Sequence, residues 1–338
     1  MSDSTDRDEP FHEGERAVQV RAGSREQSAA IGARMMRDAM PEQHRELFAR
    51  LPFVLIGSVD AEARAQASLL AGPPGFVHAL DPRTLAIDAL PHASDPLATA
   101  LRPGAAVGLL GIEPHTRRRN RVNGVVGSVS AAGFTVRVQQ SFGNCPKYIQ
   151  ARRARHDGAT VPGTAESAPR LDAADAALIE AADTFYLASA YPAQGDGAAS
   201  PHGVDVSHRG GKPGFVRVER GAAADTLTVP DFSGNGLFNT LGNLSLNPHA
   251  GLLFIAYDRG DLLHVACDAE ILWHGAELAA FEGAERLLRL RVRGLIRRPR
   301  ALPLRWSAPE LSPFLEDTGA WSGPPAAAPS GRRRRWRP

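Results

Sequence analysis

Cysteine is nearly absent. Only Cys145 and Cys267 occur in 338 residues, far apart and outside any CxxC spacing, which excludes a disulfide framework or a zinc ribbon and fits a reducing compartment. No sign of charge dominates: 39 basic against 37 acidic side chains leave +2, which predicts neither a nucleic-acid coat nor a funnel for acidic substrates. Any charge argument must be local. Long apolar runs are also missing, since no stretch approaches the roughly 18 apolar residues of a membrane span, and the opening MSDSTDRDEP lacks an apolar centre. The protein is therefore expected to be soluble and cytoplasmic, with no membrane and no nucleic acid among its partners. The 11 histidines form neither HxxxH nor HExxH, and there is no GxGxxG after a strand and no GxxxxGK[ST]. Zinc hydrolase, Rossmann and P-loop readings lapse, and no metal site is expected.

What is present is a texture of short apolar runs broken by Gly, Pro and Asp. PFVLIGSVD, ASLLAG, GFVHAL, TLAIDAL, AAVGLLGI, NRVNGVVGSVS and GFTVRVQ follow one another from Pro52 onward, the signature of an antiparallel barrel or sandwich, with one short helix at DPLATAL. The pattern then repeats. PFVLIGSVDA resembles TFYLASAYPA, PPGFVHALDPRTLAIDA resembles KPGFVRVERGAAADTLTVPD, and PGAAVGLLGI resembles NPHAGLLFIA, in the same order. Matching Phe53 to Phe185, Phe76 to Phe215 and Leu109 to Leu252 lets the offset grow, as expected when loops gain residues and strands do not. A duplicated β-barrel domain is the economical reading.

The expected organisation is a polar leader and helices over residues 1–50, a first barrel over 51–155, a linker over 156–170, a second barrel over 171–305, and a disordered Arg-rich tail over 306–338. Ile31, Met35, Met36, Met40 and Leu47 predict two short packing helices separated at Pro41. In GAELAAFEGAERLLRLRV the stripe Leu278, Phe281, Leu287, Leu288 and Leu290 predicts a helix over the second barrel. The closing GRRRRWRP reads as a solvated terminus.

Chemistry is concentrated in four segments. In QSFGNCPKYIQ, Asn144 or Cys145 can cap a helix whose first position suits Pro146, and the free amides of such a helix would seat an anion. No partner base accompanies Cys145, which is either a structural thiol or a ligand contact. In GVDVSHRGGKPGFVRV, Ser207, His208 and Arg209 precede a double glycine that permits close backbone approach. Asn235, Asn239, Asn243 and Asn247 are strung with glycines across a loop and a short helix, serving a ligand or the turns and caps themselves. HTRRRNRVNG puts Arg117, Arg119 and Arg121 on one strand face and Arg118 on the other, either as a phosphate clamp or as a charged edge. The corresponding strand of the second pass, DLLHVACDAEILW, has no arginine, so the two barrels are not expected to share ligand duty equally.

Together HTRRRNRVNG, QSFGNCPKYIQ, DVSHRGGKPGFV and NTLGNLSLNPHAGLLF resemble the flavin-nucleotide-binding proteins related to pyridoxamine 5'-phosphate oxidase, over about residues 10 to 305. The resemblance implies a mainly β fold with short helices, made of two tandem split β-barrels forming a pseudo-dimer, with FMN at the interface. It implies a cofactor site drawn from Arg119, Arg121, Asn144, Cys145, Tyr148, Ser207, His208, Arg209, Phe215, Asp231, Asn235, Asn239 and Thr240. Where the oxidase has a basic pair for the FMN phosphate this chain has Asn239 and Thr240, so the charge must come from Arg209 or the Arg117–Arg121 strand, and oxidation of pyridoxamine phosphate is not expected. The implied activity is hydride or electron transfer through bound flavin to a small-molecule substrate, with NAD(P)H or a separate reductase as electron donor and a homodimer as the further assembly. No catalytic residue is assigned, His208 and Tyr148 being the candidates for a proton donor. The competing readings are a haem-binding split barrel, which needs a histidine at the interface, and a flavin carrier or sensor without turnover.

Overall fold

Two runs of seven short strands fold into two antiparallel sheets of the same strand order. The computed structural model describes residues 10–158, 160–191 and 203–321. Among these the chain is mainly β, with seven α-helices. Three helices come first: α1 (Glu13–Arg21), α2 (Arg25–Met35) and α3 (Glu42–Arg50). The first sheet takes β1 (Phe53–Val59), β2 (Ala65–Ala71), β3 (Val77–Asp81), β4 (Thr84–Ile87), then α4 (Leu97–Ala100), β5 (Ala106–Glu113), β6 (Arg118–Ser130) and β7 (Gly133–Gly143). Its strands lie in the order β2-β1-β5-β6-β7-β4-β3. After β8 (Ala154–His156), β9 (Glu166–Ala168) and α5 (Ala173–Ala181) come β10 (Thr184–Ala190), β11 (Val204–Gly210), β12 (Arg217–Arg220), β13 (Asp225–Phe232), α6 (Asn239–Leu246), β14 (His249–Ala256), β15 (Asp261–Leu272), α7 (Ala276–Ala279), β16 (Ala284–Arg298) and β17 (Leu304–Trp306). These give β11-β10-β14-β15-β16-β13-β12, with β9 added to β16. Each strand of the second run holds the place of its counterpart in the first.

Most buried apolar residues separate into three layers, with a small fourth cluster at Phe11, Phe142 and Leu237, because the strands that meet are buried on both faces. Val54 and Ile56 of β1 point into the first unit with Leu109, Val122 and Val136, while Phe185 and Leu187 of β10 point into the second with Leu252, Val265 and Leu290. Phe53, Leu55 and Leu110 pack between the units against Tyr186, Ala188, Val206 and Leu253. Near-continuous hydrophobic strands of this kind mark sheets covered on both sides. At this seam backbone meets backbone: a Cβ on Gly108 would lie 2.2 Å from the Val204 carbonyl oxygen, and one on Gly251 would lie 2.4 Å from that of Ala65. Gly108 and Gly251 are counterparts in β5 and β14, and Val204 and Ala65 each begin an edge strand, so the two contacts are reciprocal.

Several expectations need correction. The matched pair Phe53 and Phe185 is out of register by a single residue, because Leu110 pairs with Leu55 whereas its counterpart Leu253 pairs with Tyr186. The slip sends Phe53 to the seam and Phe185 to an interior. The helix expected around Leu278 to Leu290 is instead the short α7 followed, after Gly283 at φ 79°, by β16, where Leu288, Leu290 and Val292 are buried and Arg291 and Arg293 exposed. No helix follows Pro146 either. Tyr148 is left-handed at φ 62°, and the segment beyond it is claimed by tertiary partners: the Ala151 backbone bridges to Glu310, and the Gln150 side-chain amide donates to the carbonyls of Asp183 and Gly211. The expected linker contributes β9 to the second sheet. The leader contains α1, capped by His12 and Glu15 in a reciprocal box. Of the expected disordered tail, the described part is packed: Ser312, Leu315 and Thr318 are buried and Trp321 donates its indole N–H to the Phe215 carbonyl at 2.9 Å. The GRRRRWRP terminus lies outside the described residues.

Candidate functional site

Where the edge strand β11 passes the start of β6, a cavity of about 510 Å³ opens between the units. Its wall contains Arg119 and Arg121 from β6, Asn144 beyond β7, Ser207, His208 and Arg209 from β11, Asp231 from β13, Asn235, and Asn239 and Thr240 from α6. Ten of the sequence-predicted site residues therefore share one space. Cys145, Tyr148 and Phe215 line a smaller adjoining cleft of about 80 Å³, whose wall includes Arg119, His208 and Arg209 as well. Phe215 belongs chiefly to the core, stacked on Phe185 with ring centroids 5.8 Å apart. Cys145 contributes its carbonyl, not its thiol, to the contact with Arg119.

The expected arginine face is half realised. Arg117 sits before β6 at φ 55° and turns away to Glu310, and Arg118 is exposed. Arg119 donates from Nε to the Cys145 carbonyl at 2.7 Å and from Nη1 to the His208 carbonyl at 3.4 Å. Among the described residues it has no carboxylate partner. Burial, with Arg121 and Arg209 close by, pushes its pKa down to about 10, so it stays cationic at neutral pH. Arg121 is different: it is buried and bound to Asp205 at 2.9 Å, with a second bond to the Asn239 side-chain Oδ1 at 3.1 Å. Asp205 also accepts from Asn123 at 2.8 Å and Asn243 at 2.9 Å, so the α6 asparagines brace this pair.

Asp231 bridges two further cations, accepting from Arg209 at one oxygen and from Arg286 Nε at the other, the latter at 2.9 Å. Trp273 lies between guanidinium groups, with Arg21 4.4 Å and Arg286 5.2 Å from its ring centroid. Arg286 also covers Phe238 at 5.0 Å. His208 is buried, and burial together with Arg119, Arg209 and Arg152 holds its imidazole well below the ordinary range. It is neutral at pH 7 and cannot begin as a proton donor, which leaves Tyr148, whose hydroxyl lies 3.4 Å from that of Ser233.

Behind the cavity, α1 supplies a buried acid. Glu15 accepts from the Asn239 amide and from the His12 backbone N–H at 2.9 Å. Burial first, and then the charge of Asp205, push its pKa up to about 8. Sequence reasoning missed Glu15, Arg21, Asp205, Trp273 and Arg286. Asp205 carried a legible signal as a charged residue in the alternating run GVDVSHR.

Three donors around Arg119 remain unsatisfied among the described residues: Arg121 Nε, Arg209 Nε and Asn144 Nδ2 are buried without acceptors. Buried donors are normally paired. No group of three or more His, Cys, Asp or Glu among the described residues could hold a metal ion, and no described helix is long and apolar enough to cross a membrane.

No family model and no curated protein matches the chain. Solved structures with partial likeness include a presumed pyridoxamine 5'-phosphate oxidase from Lactobacillus delbrueckii, 20% identical, with TM-score 0.25, covering 31% of this chain and 95% of that one. The haem storage protein HutZ from Vibrio cholerae is 16% identical, with TM-score 0.24, covering 37% of this chain and 93% of that one. An FAD-binding protein from Mesorhizobium loti is 13% identical, with TM-score 0.21, covering 40% of this chain and 97% of that one.

Proposed function

We propose that the chain is a pair of tandem split β-barrels, a pseudo-dimer within one polypeptide, that binds FMN in the cavity at its seam and carries out flavin-dependent redox chemistry. The observation that carries this reading is that Arg119, a guanidinium with no carboxylate partner among the described residues, lines the cavity together with Arg121, Arg209 and Asn144, each of which keeps a buried donor without an acceptor. Cationic and amide donors in that density suit a phosphate. The volume of about 510 Å³ falls within the usual range for small-molecule sites.

Arg119 would hold the phosphate charge, and Arg209, kept in place by Asp231, would flank it. The Thr240 and Ser233 hydroxyls and the Asn235 amide offer the polar contacts a heterocycle edge requires, and Phe232, Phe238 and Trp273 offer flat apolar surface. Bound flavin would supply hydride or one-electron transfer. Tyr148 would deliver any proton required. NAD(P)H or a separate reductase would furnish the electrons, and a small molecule would enter through the cleft at Tyr148. Two complete chains would form the homodimer.

One observation favours a second reading, haem binding: His208 presents a neutral imidazole, the form that ligates iron, at the cavity wall. Spectra separate the two. Purified full-length chain titrated with FMN should quench flavin fluorescence, and the complex should bleach on adding NADH, NADPH or a reductase. Unquenched FMN rejects the proposal, a Soret band with haem that is lost in His208→Ala favours the second reading, and bound FMN that no donor reduces identifies a carrier.

A further inference from the structure

The internal repeat gives the seam two ends, and the cavity at Arg119 occupies one of them. Strand register fixes which residues correspond. Leu110 pairs with Leu55 and Arg121, and its counterpart Leu253 pairs with Tyr186 and His264. His264 therefore stands where Arg121 stands in the other unit, and Leu262 stands where Arg119 does. Leu55 pairs with Leu69 and Tyr186 with His208, so Ser68 corresponds to Ser207. Arg121 pairs with Phe142 and His264 with Ile296, so counting along β7 and β16 brings Arg298 to the place of Asn144.

The counterparts build something else. Leu262 has no charge to offer an anion. The Arg298 guanidinium is spent on Asp95, with its Nε donating to the Ser94 hydroxyl at 3.2 Å. The Ser68 hydroxyl donates to the same carboxylate at 2.5 Å, and Asp95 also accepts the Leu97 N–H at the start of α4 at 3.0 Å. His264 hydrogen-bonds the Ala67 carbonyl at 3.0 Å and sits 3.4 Å from Arg298. Ser68, Asp95, His264 and Arg298 are exposed by only 0%, 2%, 4% and 6%. A groove of about 650 Å³ lies beside them, yet it reaches His264 and none of the other three. Its two arginines are already paired, Arg64 with Asp60 and Glu62, and Arg293 with Asp268.

We propose that the chain holds one phosphorylated flavin, not two, because Arg298 and Asp95 fill the second seam position as an internal plug. The inference rests on the flavin reading above, and it makes the uncharged Leu262, in the place of Arg119, and the Arg298–Asp95 pair together break the equivalence of the two ends. At the open end Asn144 leaves a donor unmet, whereas at the plugged end the chain has met its own with a carboxylate.

Equilibrium dialysis of FMN against the full chain tests this, alongside Arg119→Gln and the double variant Asp95→Leu with Arg298→Leu. The expected result is one FMN per wild-type chain, affinity weakened about tenfold or more by Arg119→Gln, and one FMN at unchanged affinity in the double variant. Two FMN per wild-type chain overturns the inference alone, and so does binding that survives Arg119→Gln but is lost in the double variant. No bound FMN overturns the flavin reading and this inference with it. Should the double variant fail to fold, the wild-type stoichiometry and the Arg119 variant decide the matter.

Discussion

Gly108 approaches Val204 so closely that a methyl group on it would sit 2.2 Å from the Val204 carbonyl oxygen, well inside contact distance. The obstacle is backbone, which cannot rotate away as a side chain can. Gly108→Ala should therefore push the edge strand β11 off the seam and destabilise the fold by about 1–3 kcal/mol, the usual cost of overpacking. Gly251→Ala, opposite Ala65, should cost a similar amount. A urea titration checks both as a lowered midpoint with unchanged slope.

Arg119 should matter for ligand and little for folding. Arg119→Gln removes a charged donor worth about 1.5–3 kcal/mol to a bound phosphate, which raises the Kd for FMN roughly ten- to a hundredfold. Arg119→Lys keeps the charge but loses the geometry that reaches the Cys145 and His208 carbonyls, and it should fall between the two. Fluorescence titration gives the affinity, and thermal melting of the apoprotein should show little change.

Asp205 should behave in the opposite way. It accepts from Arg121, Asn123 and Asn243 and is buried with its arginine. Asp205→Leu strands a buried guanidinium and should cost about 3–5 kcal/mol. Replacing Arg121 and Asp205 together by leucines should restore part of that stability, a non-additivity measurable by a double-mutant cycle.

Glu15 predicts how stability depends on pH. Its folded pKa is raised from 4.5 to about 8, so the native state holds the proton more tightly than the unfolded chain does. The contribution is present in full below pH about 4.5 and is lost progressively as pH rises through about 8. Glu15→Gln should remove that slope, melting close to wild type at pH 5 and above it at pH 9. Loss of the slope without gain at high pH would place the titration elsewhere.

The first sheet was legible almost strand for strand, because its runs are short, apolar and punctuated by Gly, Pro and Asp. The repeat was legible too, but register was not: both Phe53 and Phe185 are buried, and apolar identity cannot say on which face of a doubly covered strand a ring lies. β16 was misread because Leu278, Phe281 and Leu287 suggested helical spacing, while the alternation of Leu288, Leu290 and Val292 with arginines carried the truer period. The turn after Pro146 was hidden for another reason. The Ala151 N–H donates to the Glu310 carbonyl and the Gln150 side-chain amide to that of Asp183, contacts that only the folded chain brings together. Most of the residues that line the cavity were legible as polar residues crowded on short β-strands and the loops beside them. Glu15 and Trp273 were missed because neighbouring sequence said nothing of what they would face.

Both walls of the cavity belong to one polypeptide, with Arg119 on one side of the seam and His208 on the other. Joining them is a first-order event. In an assembly of separate subunits, dilution would pull such walls apart and the melting temperature would follow protein concentration. Here the tether keeps the local concentration of one wall at the other fixed, so the pocket should survive at nanomolar dilution, where two complete chains would part.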